Sequence, residues 1–289
     1  MISVVVISKD ERGLDGTLAA VCAQARTLGE PAEVVVVDAS EGRLDDIRDR
    51  HPSVRWLPFA RPEGVRVSIP HQRNAGVAAA AGDTIVFTDA GCHPDEGWRA
   101  ALPAPRRDGE AVRAGAATPA EGDGIYDRRA LAGSAADYLP ECPTITMAFR
   151  RDAFTAVGGF DERFEYGSDI DFSWRLVDAG LRIRSVPRAV VRPDWGDLER
   201  QLRRGYRYGR ARARLYRKHR RRLLGAIRHD PMVVVYPAFL LGLPLTLRYR
   251  LYPALLVIPA WRNRADGPLR VIADHLAYGA GVLREVARR

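Results

Sequence analysis

Three continuous, mostly β-branched runs open the chain: SVVVIS from Ser3, EVVVVDAS from Glu33 and DTIVFTDAG from Asp83. Runs without polar alternation that end in small or acidic residues predict strands buried on both faces of a parallel sheet. Between the first two, Leu14, Leu18, Val21, Ala25 and Leu28 recur at helical spacing, and Gly29 and Pro31 supply a C-cap and a stop. Strand, helix, strand is a βαβ unit with a right-handed crossover. Leu44 to Arg50 then predicts a short helix, Val54 to Phe59 an edge strand, and Gln72 to Ala81 an alanine-rich helix leading into the third run. In a doubly wound α/β domain of this kind, ligands sit beyond the carboxyl ends of the strands. Asp10, Asp38 and Asp89 fall there.

The middle of the chain is less regular. Pro103 to Asp127 is rich in proline, glycine and charge, which predicts a loop over one face. TITMAFRR and DAFTAVGGFDERF follow, and then GSDIDFSWRLVDAGLRI, where Leu176, Val177 and Leu181 predict a buried helical face closed by Gly180. Gly158 and Gly159 mark a turn with permissive φ, and Trp98 and Trp174 are expected to pack in the core. Beyond Asp194 the character changes. Leu198 to Arg228 reads as an arginine-rich helix with Leu202, Tyr206 and Gly209 on one side and later apolar positions at Leu215, Leu223 and Leu224. An apolar stretch from Pro231 to Leu247, interrupted by Pro237 and Pro244, precedes a second run from Tyr252 to Trp261.

Composition narrows the class. With 289 residues and 46% hydrophobic content the chain can bury a large core. The three cysteines, Cys22, Cys92 and Cys142, match neither a zinc spacing nor a disulfide framework and suit a reducing compartment. Met1 runs directly into a strand with no basic leader, so a protein in the cytoplasm or at the inner face of the membrane is expected. The net charge of +9 is almost wholly arginine, since Lys9 and Lys218 are the only lysines. Genome composition is one reading of the abundance, but it does not explain the crowding of arginine between Arg200 and Arg228.

EVVVVDAS, RNAGVAAAAGDTIVFTDAGCHPDEGW and TMAFRRDAFTAVGGFDERFEYGSDIDFSWRL, in this order, resemble family 2 glycosyltransferases with the GT-A fold. The resemblance spans roughly Ser3 to Pro187 and implies a Rossmann-like, mostly parallel central sheet flanked by helices. A GT-A domain over 1–195 and a basic, helical and partly apolar extension over 196–289 are expected. The implied activity is inverting transfer of a sugar from a nucleoside-diphosphate sugar to an acceptor hydroxyl. Asp38 matches the aspartate that reads the base edge, as a carboxylate accepting from a ring N–H can. Ser8 and Asp10 lie where base or ribose is met, and Arg73 matches the cation that pairs with phosphate oxygens. Asp169, in Ser168-Asp169-Ile170-Asp171, matches the general base that takes the acceptor's proton. Asp171 is the expected cap of the helix that follows.

The resemblance departs from the family at the metal. The family's Asp-x-Asp reads Asp89-Ala90-Gly91 here, and VVRPDWG carries no histidine where the family has a second contact. Asp89 remains a donor and metal residue, His93 or Asp95 is a replacement ligand for Mg²⁺ or Mn²⁺, and arginine takes over part of the charge stabilisation. The acceptor is a lipid-linked, saccharide or small-molecule hydroxyl, its pocket drawing on the loop from Ala104 to Asp127. The apolar C-terminal runs are read as peripheral membrane contact, a homodimer surface, burial against the core or a span. Three rival readings are an inactive scaffold, a nucleotidyltransferase and an RNA-binding protein. No nucleic-acid-binding pattern is present, and ISKDERGLDG makes a poor phosphate loop.

Overall fold

The computed structural model describes residues 1–27, 32–102, 109–118, 137–194, 196–262 and 267–288. Its elements fall into two compact units, one ending at Asp194 and the other beginning at Trp195. The first contains β1 (Ile2–Ser8), α1 (Leu14–Thr27), β2 (Ala32–Asp38), α2 (Asp45–Arg50), β3 (Arg55–Pro58), α3 (Ile69–Ala79), β4 (Thr84–Asp89) and β5 (Cys92–Pro94). It continues through α4 (Trp98–Ala101), β6 (Glu110–Ala117), β7 (Tyr138–Leu139), β8 (Met147–Arg150), α5 (Arg151–Ala156), α6 (Ser168–Asp178) and β9 (Arg182–Pro193).

The sheet has the order β3-β2-β1-β4-β8-β6-β9-β5, with β7 pairing β9. The block β3-β2-β1-β4 is parallel, β8 runs antiparallel to both β4 and β6, and β6 runs parallel to β9. The three apolar runs are β1, β2 and β4, and they are buried at nearly every position, as unbroken β-branched sequence requires. Because β1→β2 and β3→β4 cross the sheet in opposite directions, right-handed crossovers put α1 and α3 on opposite faces.

On the α3 face lies the main core, with Val5, Ile7, Val35, Val37, Ile85 and Phe87 of the sheet under Val77 of α3 and Phe172 and Leu176 of α6. Phe149 and Phe160 join Phe87 and Phe172 here at ring separations of 4.8–5.8 Å. These rings seat α6 on the sheet. Trp98 and Trp174 are buried, and each indole N–H is satisfied, by Thr146 Oγ1 at 2.8 Å and Glu141 Oε2 at 2.7 Å.

Several sequence expectations need correction. Glu110–Ala117, expected within a loop, is a central buried strand. Its residues are small because its neighbours are close: a Cβ on Gly115 would collide with Ala189 O and Thr146 Oγ1. The rest of that loop, Gly29, Pro31 and the acceptor segment from Ala104 onward fall wholly or mostly outside the described residues. Helix α6 begins at Ser168, with Gly167 at φ 81° as its N-cap, so Asp171 lies inside the first turn and does not cap.

The second unit is helical: α7 (Leu198–Lys218), α8 (Arg220–Leu223), α9 (Ala226–His229), α10 (Met232–Leu241), α11 (Val257–Arg262) and α12 (Pro268–Val286), with 3₁₀ turns at Leu243–Leu247 and Tyr252–Leu256. Among the described residues no helix is long and apolar enough to cross a membrane. Asp197 caps α7, its carboxylate accepting from Arg200 N at 2.8 Å. The buried face of α7 is made of Gly205, Gly209, Ala211, Ala213, Leu215 and Tyr216, while Leu223 and Leu224 beyond it are exposed. Small residues let α12 approach closely, and Glu285 of α12 then takes Arg210 Nε at 3.1 Å and Arg214 Nε at 2.8 Å.

Gly209 tests this packing by sign. At an open helical position Gly→Ala stabilises by about 0.4–1 kcal/mol through the unfolded chain. A Cβ on Gly209 would instead collide with Tyr278 O of α12. Gly209→Ala is expected to lower stability by about 1–3 kcal/mol, the usual cost of overpacking, and Gly209→Val by more. Thermal or urea denaturation reads the difference, and a raised midpoint for Gly209→Ala would refute the close approach.

Candidate active site

The parallel strands deliver the first residues. Ser8 is paired with Asp38, and Ile7 with Asp89, so the ends of β1, β2 and β4 lie side by side. Alternation along β4 places Asp89 on the face of Ile85 and Phe87, towards α3, and alternation along β1 places Ser8 on the other face, with Val4 and Val6. Asp38 is buried, and its Oδ1 accepts from Ser40 N at 3.0 Å, an Asx turn that holds the carboxylate at the strand end.

Asp10 sits at φ 58°, a left-handed conformation that the Ser40 hydroxyl supports by accepting from its N–H at 2.7 Å. Its carboxylate receives Arg43 Nε at 2.6 Å, and that hydrogen bond holds its pKa below the usual carboxylate range. Asp10 is thus the partner of an arginine within the β1–α1 and β2–α2 loops.

Helix α3 supplies four consecutive side chains that reach four different places. His71 Nε2 lies 3.4 Å from Glu162 Oε2. The Gln72 amide, oriented to satisfy its surroundings, donates to Ser8 O and Val37 O at 3.1 Å each and ties together the ends of β1 and β2. Arg73 is buried, its Nη2 lies 3.4 Å from Asp89 Oδ1, and its guanidinium stands 5.9 Å from the Phe160 ring centre. Asn74 donates to Phe160 O and accepts from Phe160 N, at 2.9 and 3.0 Å. Arg73 Nε, Ser8 Oγ and Thr88 Oγ1 are buried without a hydrogen-bond partner, a cost met most readily where a ligand is due.

Asp169 is the second residue of α6 and accepts from Ile170 N at 2.9 Å. Burial raises its pKa above the ordinary aspartate value, the positive charge of Arg73 opposes that rise, and the negative charge of Asp89 adds to it. Arg73, Asp89 and Asp169 therefore share one electrostatic environment.

The turn before α6 is held from below. Buried Asp171 receives Arg175 Nε at 2.8 Å, and Arg175 also donates to Val157 O and to Gly159 O, clamping the Gly158-Gly159 turn, whose φ values are 77° and 70°. Sequence reading missed these positioning roles of Gln72, Asn74 and Arg175. The i, i+4 spacing of Asp171 and Arg175 was a signal that was present and unused.

The metal ligands do not assemble. The His93 ring packs over Gly16 of α1, where a Cβ would stand 2.6 Å from its Cε1, on the face opposite Arg73 and Asp89. Asp95 is held bidentately by Arg192 at 2.7 and 2.8 Å. Gly91, at φ 83°, carries no side chain, and the Glu11 side chain lies over it, 3.5–3.7 Å from where a Cβ would be. Among the described residues no group of three His, Cys, Asp or Glu side chains is arranged to hold a metal ion. The described residues do not fit a divalent site built from protein ligands alone.

No family model matches the chain. It is 31% identical over 180 residues to a pre-mycofactocin glycosyltransferase of Mycobacterium tuberculosis, covering 56% of this chain and 37% of that protein. It is 32% identical over 158 residues to the succinoglycan biosynthesis protein ExoA of Rhizobium meliloti, covering 47% of this chain and 46% of that one. The chain thus spans less than half the length of these curated relatives. A mannosyltransferase of Pyrobaculum calidifontis, solved in complex with GDP-Man and Mn²⁺, superposes with a TM-score of 0.66 at 18% identity, over 100% of this chain and 88% of that one. By sequence the chain is similar to part of these two proteins, and by structure it has the α/β fold of a GT-A mannosyltransferase.

Proposed function

We propose that the chain is an inverting glycosyltransferase that moves a sugar from a nucleoside-diphosphate sugar to an acceptor hydroxyl in a single displacement. The observation that carries this reading is the electrostatic grouping of Asp169, Arg73 and Asp89 beyond the ends of the parallel strands. Asp38 accepts from the base, Ser8 lines the nucleoside side, and Arg73 faces the diphosphate as charge develops on it. Asp10, engaged by Arg43, shapes the loop over the nucleoside and leaves direct contact to its neighbours. Asp169 accepts the acceptor proton as its oxygen attacks the anomeric carbon from the face opposite the leaving group.

Two features favour this reading over its rivals. An inactive scaffold has no need of a carboxylate held high in pKa within the field of a buried arginine. A nucleotidyltransferase needs a basic, glycine-rich phosphate loop after β1, whereas here Glu11 accepts from Gly13 N at 3.1 Å and Asp10 takes Arg43. The P. calidifontis mannosyltransferase was solved with Mn²⁺. In this chain Asp89 alone keeps the motif's carboxylate, and the fixed positive charge that faces the leaving group is Arg73.

Asp169→Asn is expected to leave donor affinity near wild type and to lower kcat and kcat/KM together by about 100-fold to 10,000-fold. Its melting temperature should stay level or rise, because a desolvated charge is removed. In the wild type, activity is lost as pH falls through the raised pKa of Asp169, so the acid limb lies above that of an ordinary aspartate at about 3.9. Full turnover by Asp169→Asn, or retained anomeric configuration by NMR, would end this assignment.

Turnover is also expected to persist in excess EDTA at reduced rate, since the charge on the leaving group is met by Arg73. Complete loss, restored by Mn²⁺, would instead give the leading role to a cation held by Asp89 with the donor.

A further inference from the structure

Between Asp230 and Asp266 the chain contains no aspartate or glutamate, and its only charges there are Arg248, Arg250, Arg262 and Arg264. Helix α10, near the start of this segment, is apolar on all sides, which in a water-soluble fold calls for burial all round. Only one side is covered. Val233, Tyr236, Pro237 and Phe239 are buried, with Tyr236 Oη 2.7 Å from His275 Nδ1 of α12, whereas Val234, Val235 and Leu241 face solvent.

The exposure continues past α10. Leu243, Leu245, Leu247, Leu251, Leu255, Val257, Ile258 and Trp261 are all exposed, Leu247 at 91% and Leu251 at 82%. Singly exposed leucines are ordinary, but a contiguous run of them marks a surface with a partner. Arg248 and Arg250 alternate with Leu247, Tyr249 and Leu251, so guanidinium groups and apolar tips share one short stretch. Arg220, Arg221 and Arg228 add exposed positive charge in the same unit. Among the described residues no helix here is long and apolar enough to span.

We propose that the segment from Leu241 to Trp261 lies in the interface of an anionic lipid bilayer, leucines and Trp261 among the acyl chains and arginines at the phosphates. Apolar tips, interfacial Tyr and Trp and flanking cations without acidic residues are the composition that partitions there. A second copy of this chain presents the same uncompensated positive charge. Two such surfaces would place Arg248 and Arg250 against their equivalents, and this disfavours self-association as the occupant.

The test uses the full chain with vesicles of phosphatidylcholine alone and of equimolar phosphatidylcholine and phosphatidylglycerol. Flotation is expected to recover the protein with the anionic vesicles, more weakly with the neutral ones, and less as salt rises. The variant Leu247→Asp with Leu251→Asp, at positions already in water and so without effect on the melting temperature, should lower the partition coefficient by about tenfold or more. Arg248→Glu with Arg250→Glu should remove the preference for the anionic mixture and leave neutral binding largely intact. Brominated acyl chains should quench a fluorescence component that is lost in Trp261→Phe. Absence of vesicle binding, or equal binding by the leucine variant, overturns the proposal. So does a wild-type dimer in sedimentation that the leucine variant converts to monomer without any vesicle binding, which assigns the surface to a second copy.

Discussion

The seating of α3 on the sheet is the constraint on which the site depends. At Gly76 a Cβ would collide with the Val5 side chain and press on Val37 Cγ2 at 3.2 Å, so the helix axis comes closer than any side-chain-bearing residue allows. The far end is gripped by Arg151, which donates to Val77 O at 2.7 Å and to Ala80 O at 2.5 Å, carbonyls that would otherwise lack partners at a helix end. With both position and rotation set, the first turns have no freedom. Gln72 must meet the ends of β1 and β2, Arg73 must meet Asp89, and Asn74 must meet Phe160. A helix turns by about 100° per residue, so consecutive side chains fan outward. Four neighbouring residues can therefore bind elements far apart in sequence.

Through Asn74 the constraint passes to Phe160 and α6. Phe160 is held at its backbone by Asn74 and at its ring by Phe87 and Phe172. Arg175 ties the preceding glycine turn to Asp171 inside α6. Asp169 is thus placed from two directions, by the ring cluster under α6 and by the clamp behind its first turn. Neither the clamp nor the rings touch the reacting atoms in the proposed mechanism. Their effect is geometric, and geometry within a few tenths of an ångström is what a proton acceptor requires.

The elements legible in the sequence are those whose burial is uniform. β1, β2 and β4 are apolar without interruption because both of their faces are covered, and Leu14, Leu18 and Val21 mark α1 because one stripe of it is covered. β6 was not legible. Apart from Val112 its buried apolar positions are alanine and glycine, with β9 close at Gly115, and they carry little hydrophobic signal. α7 is partly hidden for the same reason: besides Leu215 and Tyr216 its buried face is mostly glycine and alanine, while the leucines at 223 and 224 lie in solvent. In the site, Asp38, Asp89 and Asp169 could be located by their place at strand ends or at a helix start. Which way His93 faces could not, because Gly91 breaks the alternation between β4 and β5. The engagement of Asp10 by Arg43 links two loops, and no periodicity records such a link.

The positive charge of the chain also divides in a way that counting cannot reveal. Arg210 and Arg214 of α7 converge on Glu285, Arg212 on Asp230, and Arg217 donates to Glu285 O at 2.8 Å. Much of the arginine-rich helix is therefore an internal fastening between α7, α12 and the start of α10, with its cations already matched by carboxylates. A groove for nucleic acid needs unmatched cations in a row, because its affinity comes from neutralising successive phosphates. That row is absent along these positions of α7. Arg248 and Arg250, by contrast, face solvent without an acidic neighbour in sequence, set among exposed Leu247, Tyr249 and Leu251. There each charge stands beside an apolar tip, and a surface of that grain fits a medium that is itself apolar below and anionic above.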